Sequence, residues 1–432
     1  MSASPRTYWI ETLGCPKNQV DSDKLVGTMT ADGMELASDV AAADVVVVNT
    51  CAFIGEARQE SVDTILSLGE AKKTDAELIV TGCMAERYGD ELAEALPEAD
   101  QVAGFGVPVT LGRSRKAGAA PKLAVPTLDL LELPRPPATA PWSYVKVAEG
   151  CDRNCGFCAI PTFRGKQRSR SIESIMAEVA ALRSDAFEAQ EVVLVAQDLA
   201  AFGRDQGQGE RSIIPLVKQV AEAVERVRLL YLYPSDLTDE LIDTICNTGV
   251  PYFDLSLQHV SRPLMRRMRR WGSGDLFLER VEAIRSREPK AAFRSNFIVG
   301  YPGETEEDHD ALLEFVEAAR VDWCGFFAYS KEDGTYAAEL DGDVPETLMN
   351  ERLAELREMQ DQITAESRDA LIGDTVDVLV DAPGVGRTHR EAPEIDGIVQ
   401  IPHRLEVGSI HTLEVLDAAG PDLIAGPPPR SA

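Results

Sequence analysis

The stretch that decides the fold is EGCDRNCGFCAIPTFRGKQRSR, residues 149–170, in which Cys151, Cys155 and Cys158 stand at C-x3-C-x2-C spacing ahead of a basic run. A closed tetrahedral metal site takes four ligands; this loop supplies three. Just before it, SYVKVA reads as a short strand, so the cysteines fall on the loop at a strand's carboxyl end. Five further strand-like runs follow, EVVLVA, RLLYLY, YFDLSL, FRSNFIV and CGFFAYS, separated by amphipathic helices such as SIESIMAEVAALRS and TEEDHDALLEFVEAAR, the second opening on a Thr305/Asp308 capping-box spacing. Six βα units in a row predict a TIM-like barrel or open part-barrel, a fold that places its chemistry on loops at strand carboxyl ends.

Upstream, TYWIETLG, DVVVVNT and ELIVTG alternate with helical stretches, the pattern of a parallel α/β sheet. These runs lead directly into Cys15, Cys51 and Cys83. Carboxyl ends of parallel strands share one edge, so three thiols far apart in sequence can meet there. Proline-rich LELPRPPATAPW resists helix and central strand and marks a boundary. Downstream, a long helical stretch leads to TVDVLVD, GIVQI and SIHTLEVLD, short strands that predict a small all-β barrel. The expected organisation is an N-terminal α/β domain over 1–130, a linker over 131–141, a partial barrel over 142–365 and a β-barrel over 366–432.

The chain has 432 residues, too many for one ordinary core. It shows neither a secretory leader nor an apolar run long enough to span a bilayer, so a cytoplasmic protein with no membrane partner is expected. In that setting eight cysteines point to metal or thiol chemistry rather than a disulfide framework. The formal net charge is -29. Residues 1–130 carry 20 acids against 11 bases and residues 366–432 carry 12 against 5, so the acidity is not confined to one segment. Nucleic-acid binding rests on a basic face; this balance favours a basic protein partner or a small substrate.

Several chemistries fit the C-x3-C-x2-C loop. A zinc site needs a fourth ligand, which His259 could supply from a distance; a C-x2-C redox pair would leave Cys151 idle. An iron-sulfur cube held by three thiolates leaves one iron open, and this is the favoured reading. The runs RGKQRSR and RRMRRW are read first as solvated faces or rim salt bridges, and Cys246 and Cys324 as plain buried thiols. VGYPGET lacks the Lys-Ser/Thr of a phosphate loop.

With Phe157 just before its third cysteine, the loop resembles the radical S-adenosylmethionine (SAM) superfamily. Adding GCPKNQVDSD, VVNTCAFI, VTGCMAERY and the C-terminal barrel, nearly the whole chain resembles the radical SAM methylthiotransferases. The resemblance implies two 4Fe-4S clusters, one on Cys151, Cys155 and Cys158 with SAM completing the open iron, the other on Cys15, Cys51 and Cys83 carrying the sulfur to be inserted. It implies SAM contacts from Phe157, Gln197, Gln258, Asn296 and Gly300, separate sulfur and electron donors, and a TRAM-like tail. CPKN, AQDLAAFG, LQHVSRPLMRRMRR, IVGYPGETEED and EAPEIDG resemble the branch that adds a methylthio group to the β-carbon of an aspartate in the twelfth small-subunit ribosomal protein. On the second reading of RGKQRSR and RRMRRW, these basic runs receive that target acid or a SAM carboxylate. The alternative branch modifies an adenosine beside a tRNA anticodon. The loop departs from the family in reading CDRNCGFC, which leaves the contacts of Arg153 and Asn154 for the structure to assign.

Overall fold

The computed structural model describes residues 5–105, 129–182, 189–207 and 213–428. Its internal packing divides the chain into two compact units, one of Met1–Pro136, Glu149–Asp152 and Ala159–Arg170, the other of Pro137–Ala148, Arg153–Cys158 and Ser171–Ala432.

The first unit is built on β1 (Thr7–Thr12), β2 (Glu35–Leu36), β3 (Val45–Thr50), β4 (Glu77–Gly82) and β5 (Gln101–Val102), all parallel in the order β2-β1-β3-β4-β5. Helices α1 (Pro16–Ala31), α2 (Gly55–Ala71), α3 (Cys83–Ala95) and the single turn α4 (Ile160–Phe163) complete it. The valine run of β3 is buried on both faces, as a central parallel strand requires. Val45 and Val47 meet Leu25 and Met29 of α1, whereas Val46 and Val48 meet Ile65 of α2 and Met84 and Leu92 of α3. A period of two thus feeds two separate cores from one strand.

In the second unit β6 (Trp142–Lys146), β7 (Glu191–Val195) and β8 (Arg226–Leu229) form one parallel sheet, and β9 (Tyr252–Gln258), β10 (Ala292–Val299) and β11 (Trp323–Ala328) another. A bridge between Leu232 and Leu255 joins them, giving six parallel strands in sequence order as the βα pattern predicts. RLLYLY is not one continuous strand. β8 begins at Arg226 and stops before Tyr231, whose φ of 66° is left-handed and whose N–H donates to Asp254 Oδ2 (2.9 Å).

Helices α5 (Ile172–Ala181), α6 (Ile213–Ala223), α7 (Asp239–Cys246), α8 (Arg262–Arg267), α9 (Gly274–Arg287) and α10 (Glu306–Ala319) follow the strands, and α10 carries the expected capping box between Thr305 and Asp308. The long α11 (Glu346–Asp369) leads to a closed barrel of β12 (Thr375–Ala382), β13 (Val385–Arg387), β14 (Val399–Gln400), β15 (Ile410–Ala419) and β16 (Asp422–Gly426). Two of these strands, β13 and β16, are too short or too Gly-rich to read from periodicity.

The small barrel is fastened to the amino ends of the parallel strands by buried ion pairs. Glu191, the first residue of β7, accepts from Arg228 Nε (2.7 Å) and from Arg387 Nη1 (3.1 Å), while Arg387 also forks onto Asp381. At β11, Trp323 Nε1 donates to Arg390 O (2.6 Å). Among the described residues no helix is long and apolar enough to cross a membrane.

Candidate metal centres

In the first unit the ends of β1 and β4 hand over to Cys15 and Cys83 through glycine joints, while β3 runs straight into Cys51. Gly14 has a φ of 93°, and a Cβ there would fall 2.8 Å from Cys51 Cβ and 2.9 Å from its Sγ, so only glycine lets the β1 end close on Cys51. Gly82 has a φ of 92°, and a Cβ there would fall 2.3 Å from Asn49 Oδ1. Cys15 is the N-cap of α1 and Cys83 the first residue of α3.

Asn18 stitches these ends together. Its amide donates to Leu13 O (2.8 Å) and Thr50 O (3.0 Å), and its Oδ1 accepts from Arg164 Nη2 (2.7 Å). Asn49 donates to Asn18 O and Ser22 Oγ, and Ser61 Oγ brackets Cys51, accepting from its N–H and donating to its carbonyl, both at 3.1 Å. The three thiols lie within electrostatic reach of one another. Burial and the neighbouring Cys83 push Cys51 up to about 12, and burial likewise raises Cys83. Burial acts upward on Cys15 too, but Lys17, Arg164 and the backbone N–H groups of Asn18 and Lys17 outweigh it and lower its pKa.

The feature that sequence reading missed is Arg164. Instead of belonging to a solvated rim, its side chain is 2% exposed, and Nη2 donates to Cys83 Sγ (3.0 Å). Its other branch donates to both oxygens of Glu149 (3.0 Å each) and to Asp21 (3.3 Å). Arg170 is buried as well, and only Arg168 of the three arginines after Gly165 and before it stands in solvent, paired to Asp129. A basic run on a chain this acidic was readable as solvated, because nothing in its spacing says where carboxylates will fold onto it.

Cys151 lies in this first unit, its N–H donating to Gly165 O (3.1 Å). Cys155 and Cys158 lie in the second, where Cys158 N–H closes a turn onto Cys155 O (3.2 Å). Gly156 donates to Met268 O (2.8 Å) and accepts from Ala337 N–H (2.7 Å), and a Cβ on it would fall 2.8 Å from the Tyr301 hydroxyl. Arg270 Nη1 donates to Cys155 Sγ (3.2 Å). The second basic run, RRMRRW, thus also sends one arginine to a thiol.

Arg153 resolves the unusual spelling of the loop. It pairs with Asp198 (2.6 Å) and Asp236 and lies over the Tyr233 ring at 3.9 Å, with Arg270 against the same ring at 4.3 Å. Asp198 directly follows the sequence-predicted Gln197, a neighbour the motif reading passed over.

The residues expected to contact SAM all lie in the second unit. Phe157 packs partly buried on its core, and Gln197 stands just beyond β7. Gln258 ends β9 at a register shift with a φ of 75°, a left-handed backbone uncommon for a non-glycine residue and a mark of a re-aimed side chain. Asn296 faces Gly325 of β11, where a Cβ would fall 2.7 Å from its Oδ1. Gly300 has a φ of 82° and packs on Met349, and its N–H donates to Glu304 Oε2 (2.6 Å). Its glycine is therefore explained by packing.

His259 does not behave as a free ligand. It is fully buried, its Nδ1 accepts from Ser261 N–H (3.1 Å), and burial drops its pKa to about 4. Among the described residues no three His, Cys, Asp or Glu side chains converge as a single-ion site. Thiolates bound to separate irons of a cluster have no need to converge that closely. Cys246 and Cys324 are partly buried against the core.

Comparison with known proteins agrees with this layout. Residues 7–104 match the model described as uncharacterized protein family UPF0004, residues 145–316 the radical SAM superfamily and residues 372–427 the TRAM domain. The ribosomal protein uS12 methylthiotransferase RimO of Moorella thermoacetica is 43% identical, over 90% of this chain and 91% of that protein. The chain belongs to the RimO methylthiotransferase family. RimO of Myxococcus xanthus is 41% identical over 98% of this chain and 92% of its own, and RimO of Kineococcus radiotolerans 38% over 99% and 98%. Among solved structures, the radical S-adenosylmethionine methyltransferase TsrM from Kitasatospora setae, with tryptophan substrate and a SAM analogue bound, superposes with a TM-score of 0.50 at 13% identity, covering 85% of this chain and 90% of that one. That likeness is one of fold.

Proposed function

We propose that this chain is a radical SAM methylthiotransferase that adds a methylthio group to the β-carbon of an aspartate in the ribosomal protein uS12. The observation that carries the proposal is the gathering of Cys15, Cys51 and Cys83 at three adjacent strand ends, with Arg164 donating to one of their sulfurs. Three largely buried thiols beside a buried guanidinium fit a thiolate-bound cluster, because the cation stabilises sulfur in its anionic, ligating form.

Cys151, Cys155 and Cys158 would hold one iron-sulfur cluster with SAM, and Cys15, Cys51 and Cys83 a second. When bound, these groups supply one-electron chemistry and the sulfur to be inserted. The chain's own contribution is position. Arg153 and Gly156 fix the loop between Cys155 and the strand ends, while Asn18 and Ser61 fix the thiol set of the first unit. Gln197 just beyond β7, Gln258 at the end of β9 and Asn296 within β10 offer polar groups by which a polar cofactor would be oriented, beside Phe157 and Gly300. Fixing reactants in this way supplies roughly 7 kcal/mol or more of a reaction barrier.

The partner's sign follows from the charge. A net of -7 over residues 366–432, from 12 acids and 5 bases, supports a basic protein substrate and opposes a phosphate backbone. Sulfur and electrons would come from separate donors. We place the domain limits at 1–130, 142–365 and 366–432, with a linker between the first two. The test is anaerobic reconstitution with iron and sulfide, then incubation with SAM, a reductant and uS12. Gain of one methylthio group on an aspartate supports the proposal; SAM consumption with uS12 unchanged speaks against the substrate.

A further inference from the structure

We infer that Arg164 is a positioning residue that tunes the Cys15, Cys51 and Cys83 centre. Its hydrogen bond and charge at the Cys83 sulfur raise the reduction potential of the cluster held there. The inference rests on the reading that these three cysteines bind a cluster.

The guanidinium is divided in function. Among the described residues Nη1 donates to carboxylates, Glu149 at 3.0 Å and Asp21 at 3.3 Å. Nη2 donates instead to Asn18 Oδ1 (2.7 Å) and Cys83 Sγ (3.0 Å). The plane lies over the Phe105 ring at 4.3 Å. A planar fork can serve both sides at once, which the point charge of a lysine cannot.

Burying a cation this deeply costs several kcal/mol unless its partners are in place. Two carboxylates would satisfy an ordinary buried arginine. Here one nitrogen is shared between Asn18 and sulfur, so the carboxylates hold the guanidinium and the guanidinium holds the thiol. Hydrogen bonds to cluster sulfurs and local net charge set cluster potentials. A positive charge favours the form with one more electron, so the sign of the effect is fixed. Glu149, held by Arg164, carries the opposite charge and acts with the opposite sign.

The experiment uses the full chain with Cys151, Cys155 and Cys158 replaced by alanine, loaded anaerobically with iron and sulfide, and a redox titration followed by electron paramagnetic resonance. In this background Arg164→Met is expected to lower the midpoint by at least a tenfold change in the oxidised-to-reduced ratio, about 59 mV for one electron. Arg164→Lys falls between it and the parent, and Glu149→Gln moves the midpoint upward. If Arg164→Met fails to retain iron, the Lys and Gln variants carry the same opposed signs. A midpoint unchanged by the arginine variants, or arginine and glutamate variants moving it in one direction, overturns the inference. A background that takes up no iron overturns instead the reading of Cys15, Cys51 and Cys83 as cluster ligands.

Discussion

Arg153 Nε donates to Asp198 Oδ2 over 2.6 Å, and this charge-assisted bond ties the cysteine loop to the segment after β7. Asp198 is 4% exposed and Asp236, the second partner, 7%, so neither carboxylate has water to fall back on. Burial opposes the charge on Arg153, but the two aspartates outweigh it and raise its pKa. Breaking a buried pair from one side leaves an uncompensated charge and costs about 3 kcal/mol. Arg153→Ala is expected to lower stability by that amount in denaturant unfolding and to weaken iron retention at Cys155 and Cys158, while Asp198→Asn costs less. Equal stability of Arg153→Ala and the parent would contradict this.

Iron content separates the two cysteine sets. The parent should bind roughly eight irons after reconstitution, as two cubes. Replacing Cys15, Cys51 and Cys83 by alanine, or Cys151, Cys155 and Cys158, should each remove about half of it. Replacing Cys246 and Cys324 should remove none. Zinc in place of iron would show that the thiols serve another purpose.

Much of this was legible in the sequence. The valines of β3 and the three cysteines at strand ends announced both the parallel sheet and the shared edge, because a period of two and the rule of carboxyl-end sites act locally. The arginines were not legible. Arg164 and Arg270 sit in basic runs that look solvated, and their roles arise from acids and thiols up to 143 positions away, as Arg164 and Asp21 illustrate. The backbone conformation of Tyr231 and Gln258 escaped for a related reason. Their left-handed backbone is imposed by neighbouring strands, which no residue type at those positions advertises.

The ion cluster under the small barrel gives a pH signature. Burial opposes the charge on Glu191, but Arg228, Arg387 and Arg226 prevail and lower its pKa to about 2 from 4.5. Its stabilisation is therefore complete above 4.5 and is lost as pH falls toward 2, about 3 kcal/mol in all. Glu191→Gln should lower stability at neutral pH and flatten the acid limb of a stability profile. A variant with the parent's acid limb would show that the cluster contributes nothing.

His259 acts at milder pH. Burial holds it neutral, with a pKa of about 4 against 6.5, among Asp308, His309 and Arg352. The unfolded chain takes up the proton first, so stability present above pH 6.5 declines as pH falls toward 4, at up to about 1.4 kcal/mol per pH unit. His259→Gln should reduce that slope in urea titrations at pH 7 and pH 5, leaving the share of His389, which burial also lowers to about 4. A slope left intact would assign it to another group.

This acidic enzyme, with its two sets of three thiols, is expected to act on a protein. The direct measurement offers the reconstituted chain uS12 and unmodified tRNA together with SAM and a reductant, and follows both by mass spectrometry. The account predicts one added methylthio group on an aspartate of uS12 and none on the tRNA; a methylthio group on the tRNA with uS12 untouched would contradict it.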